Sequence, residues 1–206
     1  MSVLRQRCRV PRYVGQVTRE LWNDGAAHFD DEPDHGLADR GVRAAWRDLL
    51  LDVLPSAPAR VADLGCGTGT LTRLLTDEGY SVDGLDFAPE MIRRARAKVP
   101  EADFVVGDAA DPALEPNSYD VVLSRHVLWA MPSPSQAFAR WVDLLGPRGI
   151  VVLVEGNWST GAGLTATECE RIVRTARHDV RVRPLAEPIY WGKAIEDERY
   201  LIVSSR

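Results

Sequence analysis

Three aspartates and three glycines have the types and spacing for holding a polar cofactor. Asp63 opens Asp63-Leu-Gly65-Cys66-Gly67-Thr-Gly69. Glycines at alternate positions permit backbone angles closed to other residues and let a ligand approach the main chain closely. A dinucleotide fingerprint needs G-x-G-x-x-G. Here the spacing is G-x-G-x-G, and Thr70 stands where the third glycine belongs. Asp63 puts a negative charge beside the turn, which disfavours a phosphate and suits a ligand carrying an ammonium group. Asp86 follows at close to the ~20-residue offset expected of a ribose-binding acid, whose carboxylate accepts from both hydroxyls. Asp108 is the third acid.

The elements that must position these groups read clearly. Arg60–Leu64 is an apolar run suited to a buried parallel strand, and Leu71, Leu74 and Leu75 have helical spacing. The order is strand, glycine turn, helix, so unpaired N–H groups and a positive dipole end face the turn. Further strands are expected at 81–85, 103–106, 119–124, 150–154, 180–185 and 200–203. Pro89 opens a helix to about Val99, whose Arg93, Arg94, Arg96 and Lys98 read as a solvated face. Ser133-Pro-Ser-Gln136 and Thr165-Ala-Thr-Glu168 read as capping boxes, the second for a helix to about Arg177. Asp63, Asp86 and Asp108 then end three successive strands on one sheet edge, where open α/β sheets bind ligands.

This pattern resembles motif I and the strand-end acids of the class I S-adenosylmethionine-dependent methyltransferases, in the small-molecule group with a type-11 domain. The likeness is strong over residues 60–156. It implies an α/β fold with a Rossmann-like, seven-stranded, mostly parallel doubly wound sheet, an N-terminal helical cap, and an antiparallel last strand. It implies S-adenosylmethionine as cofactor. The cofactor residues it implies are Asp63, Gly65, Cys66, Gly67, Asp86, Phe87 near the adenine, Asp108 on the adenine amino group, Ala109 and Arg125. The expected division is an arm and cap over 1–55 and a cofactor-binding core over 56–206.

The acceptor side is less specific. Ser124-Arg125-His126-Val127 stands after strand four, where enzymes that methylate amino groups of bases or glutamine carry Asn/Asp-Pro-Pro-aromatic. Methyl transfer from a sulfonium needs mainly alignment, and a hydroxyl acceptor also needs a base. His126 is the best-placed general base; the alternative is a ring that packs at a strand end. His28 and His35 are second candidates, and His178 is read as a dipole partner at a helix end. Trp22, His28, Phe29, Trp129 and Trp158 are expected to wall the acceptor pocket, with core packing the competing account of the tryptophans. Ala26-Ala-His28-Phe29-Asp30 resembles the family's aromatic–Asp cap element. Residues 21–35 read as an acidic loop, and 40–54 as a helix burying Val42, Ala45, Trp46, Leu49 and Val53.

Composition bounds the rest. The chain has 206 residues, 45% hydrophobic, enough for one α/β domain with a small addition. The net charge of −5 gives no general attraction to nucleic acid, and no aromatic-interleaved basic patch is present. Arg5, Arg7, Arg9, Arg12 and Arg19 make either a solvated or poorly ordered arm or a contact for substrate or partner. Three widely spaced cysteines, Cys8, Cys66 and Cys169, suit a reducing compartment and argue against a disulfide framework or a metal site. No stretch has the length and apolarity of a membrane span. The expectation is a cytoplasmic enzyme, monomer or homodimer, acting on a small-molecule acceptor, with no metal. A cofactor-binding sensor or subunit without transferase activity is the alternative, and a nicotinamide-dependent oxidoreductase a more distant one.

Overall fold

The computed structural model describes residues 18–205. Arg5, Arg7, Arg9, Arg12 and Cys8 lie outside them. Along the chain come α1 (Arg19–Gly25), a 3-10 segment (Ala26–Asp31), α2 (Pro33–Gly36), α3 (Arg40–Val53), β1 (Arg60–Leu64), α4 (Thr70–Asp77), β2 (Ser81–Asp86) and α5 (Pro89–Lys98). β3 (Asp103–Val106), β4 (Tyr119–Arg125), a second 3-10 segment (Leu128–Ala130), α6 (Pro134–Asp143), β5 (Leu145–Asn157), α7 (Ala166–Val173), β6 (Asp179–Pro184), α8 (Pro188–Trp191) and β7 (Glu198–Ser205) complete the described chain.

The seven strands form one sheet in the order β3-β2-β1-β4-β5-β7-β6. β1 to β5 pair in parallel, and β7 runs antiparallel between β5 and β6. Strand alternation sends buried side chains to both faces. Val61, Val121, Leu123, Val152 and Val154 pack towards α3 and α4. Ala62, Leu64, Val122, Val151 and Leu153 pack towards α6 and α7. The parallel register aligns the C-terminal ends of β1 to β5 on one edge, the edge that carries the site.

α3 lies before residue 55 and packs on the sheet. Asp39 caps it, accepting from Gly41 N–H and Val42 N–H. Its Val42, Trp46, Leu49 and Leu50 are buried in the same cluster as β1, β4 and β5. Trp46 Nε1 donates to Tyr190 O at 2.7 Å. Full burial of each such side chain contributes roughly 1.5–3 kcal/mol, so α3 belongs to the core of the sheet. Ala45 and Val53 are only partly buried, and Leu50 takes the inward place expected of Val53.

Other expectations are corrected too. Residues 19–36 are helical turns, because Thr18 caps α1 and Pro33 opens α2 with its φ pre-set. Ser133 occupies the N-cap position of α6 without a side-chain capping bond, and Pro134 starts the helix instead. The Thr165–Glu168 capping box forms as expected. α7 stops at Val173, where i→i+3 bonds from Thr175 N–H to Ile172 O and Ala176 N–H to Val173 O tighten the chain into turns. His178 therefore lies beyond the helix end, its carbonyl accepting from Arg174.

Candidate active site

The glycine turn is pinned to the end of β2. Gly65 N–H and Cys66 N–H both donate to Leu85 O, at 2.7 and 3.0 Å. Gly65 has φ 74°, and a Cβ there would stand 2.2 Å from Val127 Cγ2, so the position must be glycine. Gly67, with φ 55°, donates its N–H to Asp86 Oδ2 at 3.0 Å. Ala88 N–H donates to Asp86 Oδ1 at 2.9 Å. Two main-chain amides thus clamp the Asp86 carboxylate, and each oxygen keeps a lone pair for a ligand hydroxyl. Burial pushes the Asp86 pKa up, against those amide bonds.

Asp63 is 2% exposed and accepts from Thr72 Oγ1 at 2.7 Å. Burial pushes its carboxyl up to about 6, while Thr72 and the Arg125 charge pull the other way. A buried acid of this kind gains from a ligand cation. Cys66 is buried and its thiol is pushed well up, so it acts as a small apolar group. Phe87 packs with Ala88, Met91, Trp22 and Phe29. Asp108 is exposed at the end of β3, where Oδ1 accepts from Ala110 N–H at 2.8 Å. Ala109 is buried, its carbonyl accepting from Trp141 Nε1.

The segment 19–36 closes over this edge. A Cβ on Gly67 would lie 3.3 Å from Phe29 Cε1. Phe29 stacks on His35 at 4.3 Å and meets Trp22 edge-on at 6.0 Å. Asn23 Oδ1 accepts from Glu90 N–H, capping α5 from outside. Lys98 Nζ reaches Asp30 at 2.8 Å, Thr70 at 2.9 Å and Thr68 at 3.0 Å. Lys98 is therefore a tether between helix, turn and cap rather than part of a solvated face. Arg96 likewise donates to Phe104 O, while Arg93 and Arg94 pair with Glu90 as surface residues do. His28 stays outside the pocket: its side chain is 79% exposed and pairs with Asp31.

Beyond β4 the chain turns sharply. Arg125 Nη1 donates to Asp34 O at 2.6 Å, and the guanidinium lies over the Trp46 ring. Burial lowers the Arg125 pKa, and the charges of Asp34, Asp63 and Asp30 oppose that shift. His126 adopts φ 61°, uncommon for a residue with a Cβ. Its N–H donates to Val154 O, and its carbonyl accepts from Trp129 Nε1. Trp158 stands edge-on to the ring at 5.1 Å, and Trp129 is 5.5 Å from Trp158. The His126 Nε2 atom is buried and has no hydrogen-bond partner among the described residues. Burial lowers the His126 pKa well below its ordinary value, and Arg125, Arg199 and His35 lower it further. That environment opposes the imidazolium a general base must form.

Sequence reasoning missed three residues here. Glu155 is fully buried, and Oε1 accepts from Val127 N–H and Leu128 N–H, at 3.0 and 2.7 Å. An acid directly after an apolar strand run was the visible signal. Trp191 stacks on His126 at 6.0 Å, and Arg199 lies over the faces of Trp158 and Trp191. They arrive through α8 and the antiparallel β7, and no local motif marks them.

Residues 62–153 match the family model described as "Methyltransferase domain" (Methyltransf_11). The chain is 30% identical to a demethylmenaquinone methyltransferase of Renibacterium salmoninarum, over 72% of this chain and 65% of that protein. It is 36% identical to a trans-aconitate 2-methyltransferase of Streptomyces avermitilis, over 65% of this chain and 56% of the relative. The chain thus spans less than two thirds of the length of these relatives. The crystal structure of a TehB-like methyltransferase from Corynebacterium glutamicum aligns with a TM-score of 0.69 at 21% identity, covering 92% of this chain and 100% of that one, a likeness of fold. Residues 62–153 are thus similar to the methyltransferase domain, and the sheet order, the glycine turn and the clamped strand-end acid fit that likeness.

Proposed function

We propose that this protein transfers a methyl group from S-adenosylmethionine to a small-molecule acceptor. The observation that carries the reading is Asp86, buried at the end of β2 and clamped by Gly67 N–H and Ala88 N–H. Two oxygens fixed by the backbone are pre-organised for a vicinal diol such as ribose. Asp63 fits the ammonium group of the same cofactor, Phe87 and Ala109 its adenine, and Asp108 the adenine amino group. Gly65 and Cys66 shape the turn between them, and the Arg125 charge acts on Asp63 from the end of β4. Bound there, the cofactor supplies a methyl group on an activated sulfonium leaving group.

The chain's own contribution is alignment and exclusion of water. Trp22 and Phe29 cover the cofactor side. Trp129 and Trp158 stand beside His126 on the acceptor side. The two relatives are named for different acceptors, demethylmenaquinone and trans-aconitate. Among the described residues no helix is long and apolar enough to cross a membrane. The free, buried thiols of Cys66 and Cys169 support a cytoplasmic setting. A monomer or homodimer without nucleic acid is the matching assembly.

Calorimetry on the purified chain tests the cofactor reading. S-adenosylmethionine and S-adenosylhomocysteine both bind, and Asp86→Ala weakens both. Loss of a charged acceptor for hydroxyl donors costs roughly 1.5–3 kcal/mol, on the order of ten- to a hundredfold in affinity. Unchanged affinity in the variant removes Asp86 from the site.

A further inference from the structure

Two buried polar atoms on the acceptor side have no hydrogen-bond partner among the described residues, His126 Nε2 and Arg199 Nε. Such atoms carry a desolvation cost that a ligand can relieve. Both residues stand at the C-terminal end of β5. His126 N–H bonds Val154 O, and Arg199 pairs with Gly156 in the β5–β7 register. The Arg199 side chain runs across Gly156, where a Cβ would come within 2.6 Å of Cδ and 3.2 Å of Nε. Glycine at 156 is what leaves room for it.

The guanidinium rests on the ring faces of Trp191 and Trp158, at 4.8 and 5.2 Å. Its Nη2 pairs with Asp197 at 3.2 Å. The guanidinium charges of Arg125 and Arg199 both act on the His126 ring. Glu155 on β5 is held towards its neutral form by burial and spends Oε1 on the 127–128 turn. A cationic field around a neutral imidazole is poor for a base and good for an anion.

We propose that His126 and Arg199, walled by Trp129, Trp158 and Trp191, form an acceptor subsite that selects a small-molecule carboxylate. The flat tryptophan walls suit a planar anion, and a guanidinium fork matches a carboxylate better than a point charge would. This rests on the methyl-transfer reading and specifies its acceptor. A carboxylate supplies its own electron pair. The new O–CH3 bond forms as the S–CH3 bond breaks, and the pair from that bond stays on sulfur. The carboxylate and sulfonium charges cancel, leaving a methyl ester and S-adenosylhomocysteine, with no proton to remove. His126 then serves as a hydrogen-bond donor to the anion, and no general base is needed.

The test is calorimetry on the full chain saturated with S-adenosylhomocysteine. The probes are trans-aconitate, citrate and benzoate, with methyl benzoate as the uncharged control and inorganic phosphate as the non-carboxylate anion. At least one carboxylate binds saturably, methyl benzoate does not, and Arg199→Gln weakens the carboxylate at least tenfold while Arg199→Lys keeps part of the affinity. S-adenosylhomocysteine binding is unchanged in both variants. If Arg199→Gln disturbs the fold, His126→Asn takes its place, since asparagine tolerates φ near 61°, and the same tenfold loss is expected. Absence of carboxylate binding to wild type, phosphate binding in place of every carboxylate, or variant affinities within twofold of wild type overturns the proposal. Failure of S-adenosylhomocysteine itself to bind overturns the cofactor reading instead.

Discussion

Phe29 of the cap lies over Gly67 of the glycine turn, 3.3 Å from where a Cβ on that glycine would stand. The same Gly67 donates its N–H to Asp86, so cap, turn and ribose-type acid meet at one residue. Any side chain at 67 meets Phe29 on one side and any ligand over the turn on the other. The backbone adds strain, because φ 55° disfavours a β-branched residue by roughly 1–3 kcal/mol. Gly67→Val is expected to abolish S-adenosylmethionine binding in calorimetry, with far-UV circular dichroism near wild type. Normal binding by this variant would mean that the turn is not the cofactor loop.

The cap's attachment can be loosened separately from the core. Lys98 joins Asp30 to Thr68 and Thr70, but Lys98 and Asp30 are 26% and 42% exposed, so the ion pair contributes about 1 kcal/mol or less. Lys98→Met should leave the sheet intact and lower the melting temperature by only a few degrees. Hydrogen exchange over residues 19–36 should speed up, and S-adenosylhomocysteine should slow it in the wild type. Equal exchange with and without that ligand would show a fixed element, not a lid.

The glycine turn and its strand-end acid were far more legible than the surroundings of His126, and the difference is physical. Gly65, Gly67 and Asp86 act through backbone geometry that spacing alone specifies. A buried parallel strand must be apolar on both faces, so Arg60–Leu64 and Ile150–Val154 announced themselves. Residues 21–35 carry polar, acidic side chains without an apolar period, yet Asp30, Asp34 and Asn23 fold them into turns by bonding to distant partners. Lys98 looked solvated because its partners, Asp30, Thr68 and Thr70, come from other segments. Arg199 and Trp191 reach His126 only through the antiparallel return of β7, a non-local pairing that no local pattern encodes. Glu155 was visible as an acid at the end of an apolar strand, but its task of holding the 127–128 turn depends on how β4 ends.

That buried acid yields a pH prediction. Burial raises the Glu155 pKa from an ordinary 4.5 to about 8, although it accepts from Val127, Leu128 and Trp129 N–H. Oε2 has no partner among the described residues. Between those two pH values the folded chain holds a proton that the unfolded chain has released. Stability from this group is therefore complete below pH 4.5 and is lost as pH rises towards 8. Asp63, raised to about 6, has the same sign but finishes at lower pH, so the window from 6 to 8 belongs mainly to Glu155. Glu155→Gln keeps the shape and an acceptor oxygen for the turn, and cannot ionise. Its melting temperature should match or fall slightly below wild type at pH 5, then exceed it at pH 8 to 9, with the crossing between. Thermal melts of both proteins in steps from pH 5 to 9 check this. Parallel curves would mean that Glu155 is ionised and solvated in the folded protein, and that it does not hold the His126 turn from a buried position.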